Sequence, residues 1–171
     1  DNAPKFGTGT LQQDVGGVRG TNSIFSGPDS ASSISVQNDG KILVAGTSSG
    51  KWGSNFSVIR LNTDGSLDTS FSTDGKVIEA VGSRTDFSYT MTVQADGKIL
   101  LAGTSDGDFG LLRLNTDGSL DTTFSGDGKL TTTFGSQDDG ANSVTVLADG
   151  KILVAGYSYA YHSSIGFNND F

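Results

Sequence analysis

The phrase DGKILVAG at Asp39–Gly46 returns as DGKILLAG at Asp96–Gly103 and again as DGKILVAG at Asp149–Gly156. A second phrase, RLNTDGSLDTSFSTDGKV from Arg60, returns as RLNTDGSLDTTFSGDGKL from Arg113. The spacings are 57 and 53 residues for the first phrase and 53 for the second. Self-similarity at such a period belongs to chains that stack one supersecondary unit, since each unit needs a neighbour to bury its apolar face. Fold class follows from this before any local reading. The same feature narrows the functional reading, because repeated residues mostly explain scaffold.

The second repeat reads as four short strands. Tyr89–Gln94 (YTMTVQ) alternates, placing Tyr89, Met91 and Val93 on one side of a half-buried strand a. Ala95-Asp96-Gly97 then turns the chain, a strong hairpin signal between apolar runs. Lys98–Ser105 is nearly continuous in apolar residues, as a central strand b covered on both faces would be. Asp106-Gly107 leads into strand c at Asp108–Asn115. Asp117-Gly118 opens a longer connection to the Thr-rich Lys129–Phe134, strand d, suited to a sheet edge. Four antiparallel strands in about 53 residues, without helical periodicity, describe a β-propeller blade. A β-sandwich does not need near-identical units, and solenoid coils are usually shorter.

The ends extend the pattern. Ile165–Asp170 (IGFNND) matches Leu112–Asp117 at the 53-residue offset, and Phe6–Leu11 resembles Phe124–Leu130 with one residue missing. The expected architecture is all-β and propeller-like: three four-stranded blades in permuted order, d, abcd, abcd, abc. The chain is one repeat domain, 1–171, with units at approximately 16–81, 82–134, and 135–171 plus 1–15. Three blades fall below the usual four to eight and leave sheet edges open. Completion by further blades is expected, from a second copy closing a six-bladed ring or from a longer chain.

Composition excludes more than it identifies. There are 18 Asp but a single Glu, Glu79, with 25 Gly, so the acidic residues read as turn chemistry rather than a helical face. A net charge of −8 argues against nucleic acid, whose phosphates call for a basic surface. No apolar run reaches 18 residues, so membrane insertion by a helix is not expected. The chain has no Cys, which removes disulfide and thiolate chemistry without settling the compartment.

The unit DGKILVAG, followed by RLNTDGSLDTSF and DGKV, resembles the delta-60 repeat of large secreted or surface proteins of bacteria. The resemblance covers nearly the whole chain. It implies a propeller-like fold in an extracellular or cell-surface setting, often adhesive or modular, and supplies no catalytic residues. The third copy departs from it, with Gly166 in place of the Arg of RLN and Phe171 in place of the Gly after Asp170.

Repeated residues have structural roles to fill. Gly46, Gly103 and Gly156 are expected to end strand b where packing near a ring axis disfavours a side chain. Ile42, Ile99 and Ile152, with Val44, Leu101 and Val154, read as blade-to-blade core. Phe71 and Phe124 read as aromatic anchors of the c–d connection. Arg60 and Arg113 are candidates to pair with Asp68 and Asp121. Asn62-Thr-Asp64-Gly-Ser66-Leu-Asp68 and its copy alternate oxygen side chains as calcium loops do. Self-capping Asx-turns explain the same residues without an ion. No cofactor is expected, and calcium is the alternative carried.

Binding sites on repeat proteins tend to lie where copies differ, here in the d–a and b–c connections, which emerge on one face of a four-stranded meander. The first d–a segment, Gly16–Ala31, is longer than its counterparts. The first b–c loop, Ser48–Asn55, has four extra residues and holds the only Trp. In the third repeat Tyr157, Tyr159 and Tyr161 replace Thr104, Asp106 and Asp108. Loop aromatics beside polar residues suit sugars or peptides, and they equally suit packing at a blade or subunit contact. The candidate ligand-binding residues are Arg19, Asn22, Phe25, Lys51, Trp52, Tyr159 and Tyr161. No catalytic or metal-binding residues are assigned. A lone His162, without Cys or a nearby Glu, offers little for acid–base or nucleophilic work. The expected function is a noncatalytic binding or adhesion module for a glycan or protein partner. The alternative is a structural subunit that assembles through open sheet edges into a ring or filament.

Overall fold

The structure, a computed structural model, describes residues 29–50, 53–135 and 138–159. These contain ten strands and no helix. Strands β1 (Ser30–Val36), β2 (Ile42–Gly50), β3 (Gly53–Leu61) and β4 (Lys76–Glu79) form one antiparallel meander. Strands β5 (Asp86–Val93), β6 (Ile99–Ser105), β7 (Asp108–Leu114) and β8 (Lys129–Thr132) form the next. Strands β9 (Asp139–Val146) and β10 (Ile152–Ser158) pair as the first two strands of a third. The fold is an all-β propeller-like stack of blades, with each repeated DGKIL phrase entering the second strand of its sheet. The strands expected at Phe6–Leu11 and Ile165–Asp170 lie outside the described residues.

The turns follow from their sequences. Gly97 donates to the Gln94 carbonyl at 2.9 Å, and the Gln94 N–H bonds Lys98 O at 2.8 Å, closing a three-residue hairpin loop. Gly97 has φ +82°, a conformation in which a side chain is strained. The Asp96 carboxylate caps the Lys98 N–H at 3.1 Å.

Blades pack face to face through seams that repeat. Leu43, Ala45, Phe56, Val58 and Val77 of the first sheet meet Met91, Ile99, Leu101, Leu112 and Leu114 of the second. On its other face the second sheet presents Leu100, Ala102, Phe109 and Leu111 to Ala141 and Val144. A continuous apolar strand is thus needed at β6, because both its faces are covered. A polar clip joins the first two blades at the end where the a–b and c–d connections lie. Arg60 donates to Asp68 at 2.6 Å and to Thr116 O in the next repeat at 2.7 Å. The same guanidinium lies 4.6 Å from the Phe71 ring centroid. Ser72 N–H reaches Asp117 O at 2.8 Å. Arg113 and Asp121 repeat the pair at 2.6 Å.

Three expectations need correction. The b strands do not end at their glycines; they run on to Gly50, Ser105 and Ser158. Each glycine instead faces an irregularity in the neighbouring a strand: the register skips between Ala31 and Ser33, between Ser88 and Thr90, and opposite Ala155 and Gly156. A Cβ on Gly46, Gly103 or Gly156 would overlap the carbonyl of Ser30, Phe87 or Gly140. Close approach within the sheet, not packing at an axis, requires them. Tyr89 is likewise not in phase with Met91, because it is the extra residue of the β5 bulge and is 37% exposed. Finally, the insertion in the first b–c connection is not a loop. It lengthens β2 and β3 to nine residues each, with Gly50 opposite Gly53.

Candidate functional site

At the end opposite the clips, the d–a connection of the second repeat is held by two aspartates. Asp86, fully buried at the start of β5, accepts the Val81 and Gly82 N–H groups at 2.9 and 3.1 Å. Asp29, Asp86 and Asp139 share the 57- and 53-residue offsets, a third repeated position that the sequence reading missed. Asp106, in the two-residue turn between β6 and β7, takes Ser83 N and Oγ at 2.7 Å. It also accepts Arg84 N at 2.9 Å and Thr85 N at 3.0 Å. The Ser83 backbone donor, then its hydroxyl and the Thr85 N–H, pull its pKa down to about 2. Four donors stiffen this connection and leave Asp106 little capacity to act as a proton acceptor.

The pinned connection walls a cavity of 590 Å³, lined among others by Arg84, Phe87, Tyr89, Asp106, Asp138 and Tyr157. The bulge in β5 is what frees Tyr89 from the core. Phe87 and Tyr89 are each 37% exposed. Burial raises the Tyr89 pKa above its ordinary value, and the neighbouring Tyr157 adds to the effect. Tyr157 packs on Gly140, where a Cβ would come within 2.7 Å of its ring. The Tyr157 and Tyr159 rings lie 5.3 Å apart, tilted by 54°. The third blade closes on the rim through Asp139 N–H to Gly107 O at 2.6 Å and a bond from the Thr104 hydroxyl to Asp139 O. The side chains of Arg84 and Asp138 are exposed and have no hydrogen-bond or ion-pair partner among the described residues.

Of the residues singled out from sequence, Tyr159 stands beside this cavity, 63% exposed. Arg19, Asn22, Phe25, Lys51, Trp52 and Tyr161 lie outside the described residues. Strand β3 does reach this end at Gly53, where a Cβ would overlap the Arg84 carbonyl. Arg84, Phe87, Tyr89 and Asp138 were missed, though comparison of copies could have found two of them. Where the second repeat has Phe87 and Tyr89, the first has Ser30 and Ser32 and the third has Gly140 and Asn142.

The motif weighed for calcium is occupied by its own donors. Asp64 accepts Ser66 N at 2.9 Å and Ser66 Oγ at 2.6 Å. Asp68 Oδ2 holds Lys41 at 2.7 Å and Arg60 at 2.6 Å. A carboxylate oxygen shared by two cations is a poor calcium ligand, so these residues do not fit the ion.

Comparison with known families adds the scaffold's identity. Residues 37–71, 94–124 and 147–168, just over half of the chain, match a family described as "Domain of unknown function (DUF5122) beta-propeller". The chain belongs to that family. No curated protein matches it. The first two DUF5122 matches begin at the a–b turn and end at the anchoring Phe71 or Phe124. Asp106 and Tyr157 therefore lie within matched segments, whereas Arg84, Phe87, Tyr89 and Asp138 lie outside them. The matched segments hold the second and third strands of the first two blades and their clips, while most of the cavity lining falls outside them.

Proposed function

We propose that this chain is a noncatalytic binding module, engaging a glycan or protein partner through the cavity end of its blades. The observation that supports it is the cavity beside Phe87, Tyr89 and Tyr157, lined also by Arg84 and Asp138, whose charges have no partner among the described residues. Concave sites with apolar walls and a few placed polar groups are the usual form of ligand sites. Placement at the end where repeats diverge agrees, since scaffold demands sameness and recognition does not. Resemblance to the delta-60 repeat supports an extracellular or cell-surface setting.

The test is an array of bacterial and host glycans and surface proteins probed with the whole chain. Binding lost with Tyr157→Ala and kept with Lys151→Ala supports the cavity. Binding indifferent to Tyr157 places recognition elsewhere.

A second reading, completion or assembly through open blade faces, has its own observation. Ile34 and Val36 are 69% and 68% exposed on the outer face of the first sheet, at the positions where the second sheet buries Met91 and Val93 against its neighbour. Solution mass tests it: a dimer supports ring closure by a second copy, and larger polymers support a filament.

A further inference from the structure

We propose that the ligand of this cavity is a neutral glycan, held by hexose rings stacked on the aromatic wall and by hydroxyls bridging Arg84 and Asp138. The inference rests on the binding-module reading and names its ligand class.

Charge comes first. A guanidinium and a carboxylate without side-chain partners among the described residues share one cavity, and the second carboxylate, Asp106, is saturated by the Ser83–Thr85 donors. An anionic ligand meets Asp138 and a chain of net charge −8; a cationic one meets Arg84. A polyol meets neither penalty. Its hydroxyls donate to the carboxylate and accept from the guanidinium, so both unpaired groups are satisfied together.

Shape agrees. Phe87, Tyr89 and Tyr157 give flat apolar area and two phenol hydroxyls, matching a pyranose ring with its C–H face and hydroxyl edge. The volume of 590 Å³ lies inside the range of about 300–1,000 Å³ of small-ligand sites, suited to a short oligosaccharide. The walls are pre-set, because Asp86 and Asp106 pin the d–a connection and Gly140 seats Tyr157. Little ordering cost falls on binding. A peptide is disfavoured by the same geometry. Extended peptides are held largely by free backbone groups of a sheet edge, and the Ser83, Arg84 and Thr85 N–H groups here are engaged by Asp106.

The experiment titrates the whole chain with neutral hexose oligosaccharides, with uronic-acid oligosaccharides and with peptides, by calorimetry and saturation-transfer NMR. Neutral sugars are expected to saturate, with affinity insensitive to salt because the ligand is uncharged. Tyr157→Ala and Asp138→Asn are each expected to weaken them at least about tenfold. Tyr157→Phe, which keeps the stacking face, is expected to lose only a small part. Preference for acidic sugars, or neutral-sugar binding untouched by both Asp138→Asn and Tyr157→Ala, overturns the inference. A peptide that binds at Tyr157 while no sugar does keeps the binding module and removes the neutral glycan. If neither class perturbs Phe87, Tyr89 or Tyr157, both readings fall.

Discussion

The two ends of the blades carry the same kinds of polar residue and use them differently. At the clip end, Arg60, Asp68, Lys41 and Ser70 form a closed network, and Arg113, Asp121, Lys98 and Thr123 repeat it. At the cavity end, Asp86 and Asp106 are as thoroughly bonded, but the Arg84 and Asp138 side chains have no partner among the described residues. The clip networks recur at a fixed period; Arg84 and Asp138 do not. A residue that must bridge one blade to the next is needed in every copy, whereas one that meets a ligand is needed once. Satisfied and repeated therefore reads as scaffold here, and unsatisfied and unique as site.

The sharpest way to break this comparison is at the bulge, which belongs to both ends' logic. Gly103→Val places a side chain on the Phe87 carbonyl, inside rigid paired backbone. The expected cost exceeds about 4 kcal/mol, read as loss of the folded state in denaturant titration. A stable Gly103→Val protein would mean that the bulge is not needed to hold Tyr89 out of the core.

Asp68→Ala comes next. It leaves the Arg60 and Lys41 charges without their carboxylate in a largely buried place, with an expected loss of about 3 kcal/mol. The matching change at Asp121 should cost less, since Arg113 is more exposed than Arg60. Equal costs would contradict the ranking by burial.

Acid acts on the same networks in both blades. Lys41, then the Ser70 hydroxyl, hold the Asp68 carboxyl well below its ordinary value of 3.8, and Thr123 and Lys98 do so for Asp121. Both groups have a lower pKa folded than unfolded. Their contribution is thus fully present above the unfolded value and fades as pH falls below about 4. Melting temperature is expected to be flat in this respect from neutral to mildly acid pH and to drop below it, with a shallower drop in Asp68→Asn. An unchanged slope in that variant would remove Asp68 from the account.

The smallest effect is expected at the open pair. Arg84→Ala and Asp138→Ala should each change stability by no more than about 0.5 kcal/mol, the usual range for exposed side chains without partners. A loss near that of Asp68→Ala would show that they hold the fold after all, and the contrast between the ends would dissolve.

Much of this molecule was legible as text. The repeated phrases specify blades, the Asp-Gly pairs specify turns, and the recurrence of Arg60 with Asp68 anticipates an ion pair, because these depend on short-range chemistry repeated three times or twice. Alternation also separated central from edge strands. What failed was Tyr89. Reading it in phase with Met91 assumed an unbroken ladder, and a single unpaired residue reverses which face every earlier side chain of that strand takes. Gly103 within a strand was the available signal, since such glycines mark bulges or close backbone approach.

By itself, then, the sequence determined the class of fold, the order of strands and the pairing of its repeated charges, all consequences of local pattern. Tertiary structure alone decided where the cavity lies. Arg84 precedes the bulge on one repeat, Asp138 and Tyr157 belong to the next, and only blade-against-blade packing sets them around one cavity. No local rule encodes that meeting, because it depends on the register of two sheets and the seam between them.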